Sequence, residues 1–240
     1  MKIKAVIFDI YDTLLNVKRQ TPDESEKMWD NLYREFFNTA PPVPYKKFCE
    51  QCELLIRQHH NQSKLLGIKY PEILWEEILK TALPELNALD NERFYEFFYR
   101  QSQVWHSVSM SDDAVQFIKI LLNKNIKFGI ASNCQQYTLK ELDTELQRNK
   151  IPANPFDKEL TFLSFKYGFS KPDPYVFQIL TIRANSKGIK PDQILMIGDS
   201  PENDIEPAKL FGWNTWLLTN EKSLYSADSG LWTDLLQRFF

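Results

Sequence analysis

The sequence predicts an α/β fold in which helices cover both faces of a parallel sheet, with a helical segment inserted after the first strand. Three observations predict it. Short apolar runs recur along the chain, and amphipathic helical patterns separate them. The runs are nearly continuous rather than alternating, which is typical of strands buried on both faces. Between residues 17 and 106 the apolar runs stop and helical spacing alone continues, which indicates an insert.

Five apolar runs carry the strand signal, at residues 3–8, 126–131, 160–165, 194–197 and 214–218. Core helices are predicted at 112–123, 136–147, 174–187, 202–211 and 229–240. Ser111 precedes the first of these as a predicted N-cap, while Gly188 and Gly212 follow two others. In the final helix we expect four residues to face the core: Leu231, Leu235, Leu236 and Phe239.

The insert is predicted to be helical and rich in aromatic packing residues. Its apolar side chains recur at helical spacing near 28–37, 46–58, 72–82 and 91–104, and it contains no convincing strand. We therefore predict a core of residues 1–16 and 107–240, and an inserted helical unit of residues 17–106, which we call the helical insert.

Composition excludes several classes of function. A net charge of -3 and an isoelectric point near 5.7 leave no general electrostatic footprint for nucleic acid or an anionic membrane. No apolar run approaches the ~18 residues that a membrane span requires. The chain has three cysteines, too few for a disulfide framework. We expect a cytoplasmic protein, a monomer or a weak homodimer, that binds neither nucleic acid nor a membrane.

Cys49 and Cys52 raise the question of a zinc site, because His59 and His60 follow them. A second cysteine pair is lacking, and a spacing of three residues places both thiols on one face of a predicted helix. The pattern therefore favours core packing over zinc.

Polar residues stand where the predicted strands end. Parallel α/β sheets bind ligands outside the carboxyl ends of their strands, so we expect these residues to converge. Asp9, Asp199 and Asp204 offer the hard oxygen ligands that Mg²⁺ prefers, and Lys171 offers a compact positive charge for a phosphate. The set is completed by Thr13, Ser132 and Asn133, whose side chains can bind phosphoryl oxygens or brace the loops.

The order of these residues resembles the four motifs of the haloacid dehalogenase superfamily. The motifs are an Asp-x-Asp-x-Thr, a Ser or Thr, a Lys, and a Gly-Asp-x-x-x-x-Asp, and the phrases SKPDPYVFQ and IGDSPENDI are specific. The resemblance implies a Rossmann-like core with a helical cap inserted after the first motif. It further implies a magnesium-dependent hydrolase, acting on a small phosphorylated metabolite.

The resemblance also assigns roles to individual residues. Asp9 would be the nucleophile that forms a covalent aspartyl intermediate, and Ser132 and Lys171 would hold the transferred group. Magnesium would be bound by Asp9, the backbone carbonyl of Tyr11 and Asp199, with Asp204 as an outer ligand or support.

One position departs from the phosphatase pattern. The second Asp of the first motif, which usually protonates the leaving group, is Tyr11 here, and Asp12 stands one residue late. A tyrosine at this place resembles the 2-haloacid dehalogenases, which use no metal, although Asp199 favours a metal because its charge beside Asp9 would otherwise be costly. Three hypotheses follow: a phosphatase with weak acid assistance, a dehalogenase-like hydrolase, and a weakly active module that binds phosphorylated ligands or a partner.

Overall fold

The computed structural model describes residues 2–219 and 228–239. Its strands are β1 (Ala5–Phe8), β2 (Asn16–Arg19), β3 (His106–Ser109), β4 (Lys127–Ser132), β5 (Phe162–Leu163), β6 (Ile194–Gly198), β7 (Asn214–Leu218) and β8 (Ser229–Gly230). Its α-helices are α1 (Pro22–Phe37), α2 (Tyr45–Leu65), α3 (Trp75–Ala82), α4 (Asn91–Gln103), α5 (Asp112–Asn123), α6 (Gln136–Arg148), α7 (Pro174–Ser186), α8 (Glu206–Leu210) and α9 (Trp232–Phe239).

Six strands form a parallel sheet in the order β5-β4-β1-β6-β7-β8, which confirms the predicted fold class. The strand β1 lies in the middle, with Phe8 opposite Ile130 on one side and Ile197 on the other. All four residues of β1 are buried, as its continuous apolar run predicts. Two hydrophobic clusters, one on each face, are built from the sheet and its covering helices.

The strand predicted at 160–165 is reduced to the two residues of β5. Short 3₁₀ turns at Lys158–Leu160 and Ser164–Lys166 take up the rest of that apolar run. The strand β8 was not predicted, because two residues carry no periodic signal.

The predicted helices of the core are present, with corrections at two of them. Ser111 caps α5 as expected, since its Oγ accepts the N–H of Ala114 at 3.2 Å. In the final helix, Leu235 is fully buried, but the inward prediction for Leu231 is wrong because it precedes α9 and is 46% exposed. Trp232 packs against the sheet instead, and Phe240 lies outside the described residues.

The helical insert contains α1 to α4, and an aromatic cluster fills its centre. The expectation that the insert holds no strand was wrong, because β2 and β3 pair antiparallel with Val17 opposite Val108. These strands are mostly polar and exposed, so apolar periodicity does not reveal them. The exact boundaries of the two units stay a prediction. Among residues 2–219 and 228–239, no helix combines the length and apolar character needed to cross a bilayer.

Gly129 offers a test of packing in the core. A Cβ atom at this position would lie 2.0 Å from the backbone oxygen of Leu160, so one of two main chains would have to move. We expect Gly129→Ala to lower the free energy of unfolding by about 3 kcal/mol, the upper end of ordinary overpacking costs. Urea denaturation followed by circular dichroism measures the change.

Gly67→Ala is the matched control. Nothing lies within 4 Å of a Cβ there, although the φ of +91° makes a side chain unfavourable. We expect that variant to lose only about 1 kcal/mol. Equal losses in the two variants would contradict the packing interpretation of Gly129.

Candidate active site

The carboxyl ends of three adjacent strands bring the predicted residues together. Asp9 follows β1, Ser132 ends β4, and Asp199 follows β6. The N–H of Asp9 donates to the carbonyl of Ile197 at 3.0 Å, so the ladder between β1 and β6 continues to the site. The parallel register therefore fixes where Asp9 and Asp199 stand relative to each other.

Lys171 lies at the centre of this group. Its Nζ is 2.8 Å from Asp9 Oδ1 and also bonds Asp204 Oδ1. The side chains of Lys171 and Asp204 are only 2% and 1% exposed. Burial alone would lower the pKa of Lys171, but the carboxylates of Asp204 and Asp9 raise it above its ordinary value. The ammonium group therefore stays charged at neutral pH.

Asp9, Asp199 and Asp204 form an acidic cluster. Each can offer a carboxylate oxygen, and these oxygens lie within 4.8 Å of one another. Burial, followed by the charge of Asp9, raises the pKa of Asp199 to about 6, and burial also raises the pKa of Asp204. When ionised, the three carboxylates and the ammonium of Lys171 carry a net charge of two negative units, since -3 and +1 give -2. The cluster thus fits a divalent cation that prefers oxygen ligands.

A glycine and an irregular turn place Asp204. The helix predicted at 202–211 begins instead with a π-helical turn at Pro201–Ile205, and only then continues as α8. Asp204 Oδ2 accepts the N–H of Ser200 at 3.1 Å. A Cβ atom on Gly198 would lie 2.2 Å from that same oxygen, so the close approach requires glycine at the end of β6.

The side chain of Asn133 is engaged with the backbone of Lys171. Its Oδ1 accepts the Lys171 N–H at 2.7 Å, and its Nδ2 donates to the Lys171 carbonyl at 2.9 Å. These two hydrogen bonds fix the backbone of Lys171. A direct role for Asn133 in binding substrate stays a prediction.

Thr13 and Ser132 are both buried beside the cluster, at 2% and 1% exposure. The Thr13 hydroxyl donates to Asp199 Oδ1 at 3.5 Å, a long contact that braces the loop after β1 against the loop after β6. Binding of substrate by either hydroxyl stays a prediction.

The side chain of Tyr11 reaches α6 rather than offering its proton freely. Its hydroxyl donates to Glu141 Oε2 at 2.6 Å and contacts Thr138 Oγ1 at 2.9 Å. Burial, together with the charges of Tyr137 and Glu141, raises the pKa of Tyr11. The hydroxyl is therefore protonated and its hydrogen is already bonded. The proposed magnesium ligand at this residue is its backbone carbonyl, which stays a prediction.

The carboxylate of Asp12 is not one of the three that form the acidic cluster. It is exposed, has a φ of 53°, and its Oδ1 accepts the N–H of Val17 at 3.3 Å. Its charge nevertheless contributes to the raised pKa of Asp199. Asp12 thus closes the loop after β1 at the start of β2.

Glu141 is the principal residue of this region that the sequence interpretation missed. It is 2% exposed and, besides Tyr11, accepts the Ser102 hydroxyl at 3.3 Å. The ring Nε2 of His106 lies 2.8 Å from its Oε1. Its signal in the sequence is its position, one helical turn after Thr138 on the buried face of α6. A charged residue on a buried face requires a partner.

Comparisons with known proteins show which proteins this chain is similar to in sequence and in fold. The rhythmically expressed gene 2 protein of Drosophila melanogaster is 30% identical in an alignment of 159 residues that covers 62% of this chain and 57% of that protein. A 2-haloacid dehalogenase from Pseudomonas syringae pv. Tomato DC3000 is 20% identical with a TM-score of 0.64, over 98% of this chain and 97% of that one. A HAD phosphatase from Thermococcus onnurineus is 19% identical with a TM-score of 0.58, over 99% and 97%.

At these identities the two solved structures share the fold with this chain, and their activities differ from each other. The chain spans 57% of the length of its Drosophila relative. The family model for haloacid dehalogenase-like hydrolases matches residues 3–212, which include all the motif residues described above. The chain therefore belongs to the haloacid dehalogenase-like hydrolase family.

Proposed function

We propose that the protein is a magnesium-dependent phosphatase that hydrolyses a small phosphorylated metabolite through an aspartyl-phosphate on Asp9. The acidic cluster carries this proposal, because Asp9, Asp199 and Asp204 leave two negative charges uncompensated by Lys171. The 2-haloacid dehalogenases, which use no metal, have no need of such a cluster. A phosphatase needs a cation there, since its nucleophile and its substrate are both anionic.

Asp9 would act as the nucleophile. Lys171 holds its Oδ1, so Oδ2 is the oxygen available to attack phosphorus. A lone pair of Oδ2 forms the new O–P bond as the bond from phosphorus to the leaving oxygen breaks. Water then attacks the aspartyl-phosphate, which releases inorganic phosphate and restores the Asp9 carboxylate.

The other residues would bind and orient the phosphoryl group. Lys171 supplies positive charge to its oxygens, and the Ser132 hydroxyl can donate a hydrogen bond. Bound by Asp9, Asp199 and the Tyr11 carbonyl, with support from Asp204, magnesium would neutralise the developing negative charge. The Tyr11 hydroxyl is bonded to Glu141, so it contributes no proton to the leaving group.

A dehalogenase-like activity on 2-haloacids is the second candidate. Tyr11 favours it, because a halide leaves without a proton and the family's dehalogenases resemble this chain at that position. The fold similarity to the Pseudomonas dehalogenase is compatible with it. A third candidate is a weakly active protein that binds phosphorylated ligands or a partner, which the engaged Tyr11 hydroxyl favours.

A substrate panel separates these candidates. We expect phosphate release from phosphorylated metabolites with Mg²⁺, loss of that release with EDTA, and no halide release from 2-chloropropionate. Asp9→Asn should lower turnover by at least about 10³-fold because it removes the nucleophile. Asp143→Asn, an exposed carboxylate on α6, is the control and should leave turnover unchanged. Halide release that persists in EDTA would instead support the dehalogenase.

The leaving group should limit the rate. General acid catalysis is worth about 10²- to 10⁴-fold, and Tyr11 does not supply it. We therefore expect kcat/KM for acetyl phosphate or p-nitrophenyl phosphate to exceed that for sugar phosphates by about 10²-fold or more. Tyr11→Phe should preserve this ratio. Comparable turnover of sugar phosphates and acetyl phosphate would contradict the prediction.

Asp199→Asn tests the metal site without an activity assay. Because the pKa of Asp199 is raised from 3.8 to about 6, its ionised form weakens the metal-free fold as the pH rises through that range. At pH 7.5 we expect the variant to gain about 1 kcal/mol of unfolding free energy, a value reduced for solvent screening because Asp199 is exposed. The gain should fade below about pH 4, where the carboxyl is protonated in both states.

Without metal we expect Asp199→Asn to be more stable than the wild-type protein, and with magnesium we expect the opposite. We expect Mg²⁺ to raise the thermal midpoint of the wild-type protein, since a ligand of the folded state stabilises it, and to raise that of Asp199→Asn much less. Differential scanning fluorimetry with a magnesium titration measures both. An equal magnesium shift in the two proteins would argue against Asp199 as a ligand.

A further inference from the structure

A segment of the helical insert pairs directly with the core beside Lys171. It comprises residues 70–75, between α2 and α3, and we call it the strap. The N–H of Ser170 donates to the Tyr70 carbonyl at 2.9 Å, and the N–H of Glu72 donates to the Gly168 carbonyl at 3.0 Å. Pro71 and Phe169 form an antiparallel bridge between these bonds. The strap is thus bonded to the residues that lead into Lys171.

The side-chain amide of Gln135, a residue of the core, forms three further hydrogen bonds with the strap. Gln135 Nε2 donates to Glu72 Oε1 at 3.1 Å and to the Ile73 carbonyl at 3.0 Å. Gln135 Oε1 accepts the Trp75 N–H at 2.9 Å. These three bonds use both the donor and the acceptor of the Gln135 amide.

Glu72 links the strap to a third point of the core. Its Oε2 accepts the hydroxyl of Ser164 at 2.6 Å, and Ser164 Oγ accepts the Cys134 N–H at 2.9 Å. Ser164 is fully buried, so the chain of bonds from strap to core is shielded from water. The strap therefore joins the loop that follows β4 to the loop that follows β5.

These two loops also hold Lys171. Asn133, two residues before Gln135, clamps the Lys171 backbone with both ends of its amide. Ser170, which bonds the strap, is the residue immediately before Lys171. A movement of the strap would loosen both supports of the ammonium that lies beside Asp9.

We propose that Gln135 and Glu72 are positioning residues, through which the docked helical insert holds Lys171 at Asp9. This inference rests on the proposed function, in which Lys171 serves the phosphoryl group. Neither residue touches the reacting atoms.

Gln135→Ala removes the three strap bonds without removing a cap from α6. The Gln135 backbone N–H bonds Thr138 Oγ1, and its backbone carbonyl accepts the Thr138 N–H, so neither contact needs the side chain. Gln58→Ala, an exposed glutamine on α2, is the matched control. Glu72→Gln is the conservative variant, because an amide can still accept from Gln135 while it donates to Ser164.

The first measurement is hydrogen exchange, which needs no substrate. In Gln135→Ala we expect amides of residues 164–171 to exchange about tenfold faster, while those of β6 remain unchanged. Glu72→Ala should behave like Gln135→Ala, and Glu72→Gln like the wild type. Exchange in Gln135→Ala that matches Gln58→Ala would overturn the proposal.

The second measurement is steady-state kinetics with acetyl phosphate and Mg²⁺. A displaced lysine should lower kcat by about 10- to 100-fold, with KM changed far less, since misplacement by about 1 Å has costs of this size. Faster exchange with an unchanged kcat would also overturn the proposal. A wild-type protein without phosphatase activity would refute the proposed function alone, because the exchange experiment still tests the strap.

Discussion

The buried ion pairs of Lys171 with Asp9 and Asp204 are the interaction on which the rest of the site depends. The side chains of Lys171 and Asp204 have lost nearly all contact with water, so each charge is stable only beside its partner. Breaking a buried pair by removing one partner costs about 3–5 kcal/mol. The three charged residues lie on separate loops at one edge of the parallel sheet. The register of the strands sets the distance between these loops.

The sheet and the convergence of its loops could be predicted, because continuous apolar runs mark strands buried on both faces. Strands and turns made mainly of polar residues could not be predicted in this way. The strands β2 and β3 expose most of their side chains and so leave no period-2 pattern. The segment that carries Asp204 has a helical pattern in sequence, but it forms a π-helical turn, in which Asp204 lies directly against Gly198. The pairing of Glu141 with Tyr11, 130 residues earlier in the chain, could not be predicted either, because a buried position on α6 does not reveal which distant residue it contacts.

The contacts of Tyr11 in the structure reduce the number of roles that the first motif allows for this residue. From sequence, a tyrosine in place of the usual acid suggested either a poor proton donor or a dehalogenase. In the fold its hydroxyl donates to Glu141, which also accepts from Ser102 at the end of α4. The side chain therefore ties the loop after β1 to the helical insert. Under the proposed function, this hydrogen bond would keep the Tyr11 proton from the leaving group and would not alter the attack by Asp9.

Two parts of the molecule, the core and the strap of the helical insert, thus contact the loops that carry the charged residues of the site. The carboxylates of Asp199 and Asp204 are placed by core elements, through Gly198, Ser200 and the parallel register. The ammonium of Lys171 lies on a loop whose neighbours bond the strap of the insert. If Gln135 and Glu72 position Lys171 as proposed, its ammonium depends on the contact between strap and core as well as on its ion pairs with Asp9 and Asp204.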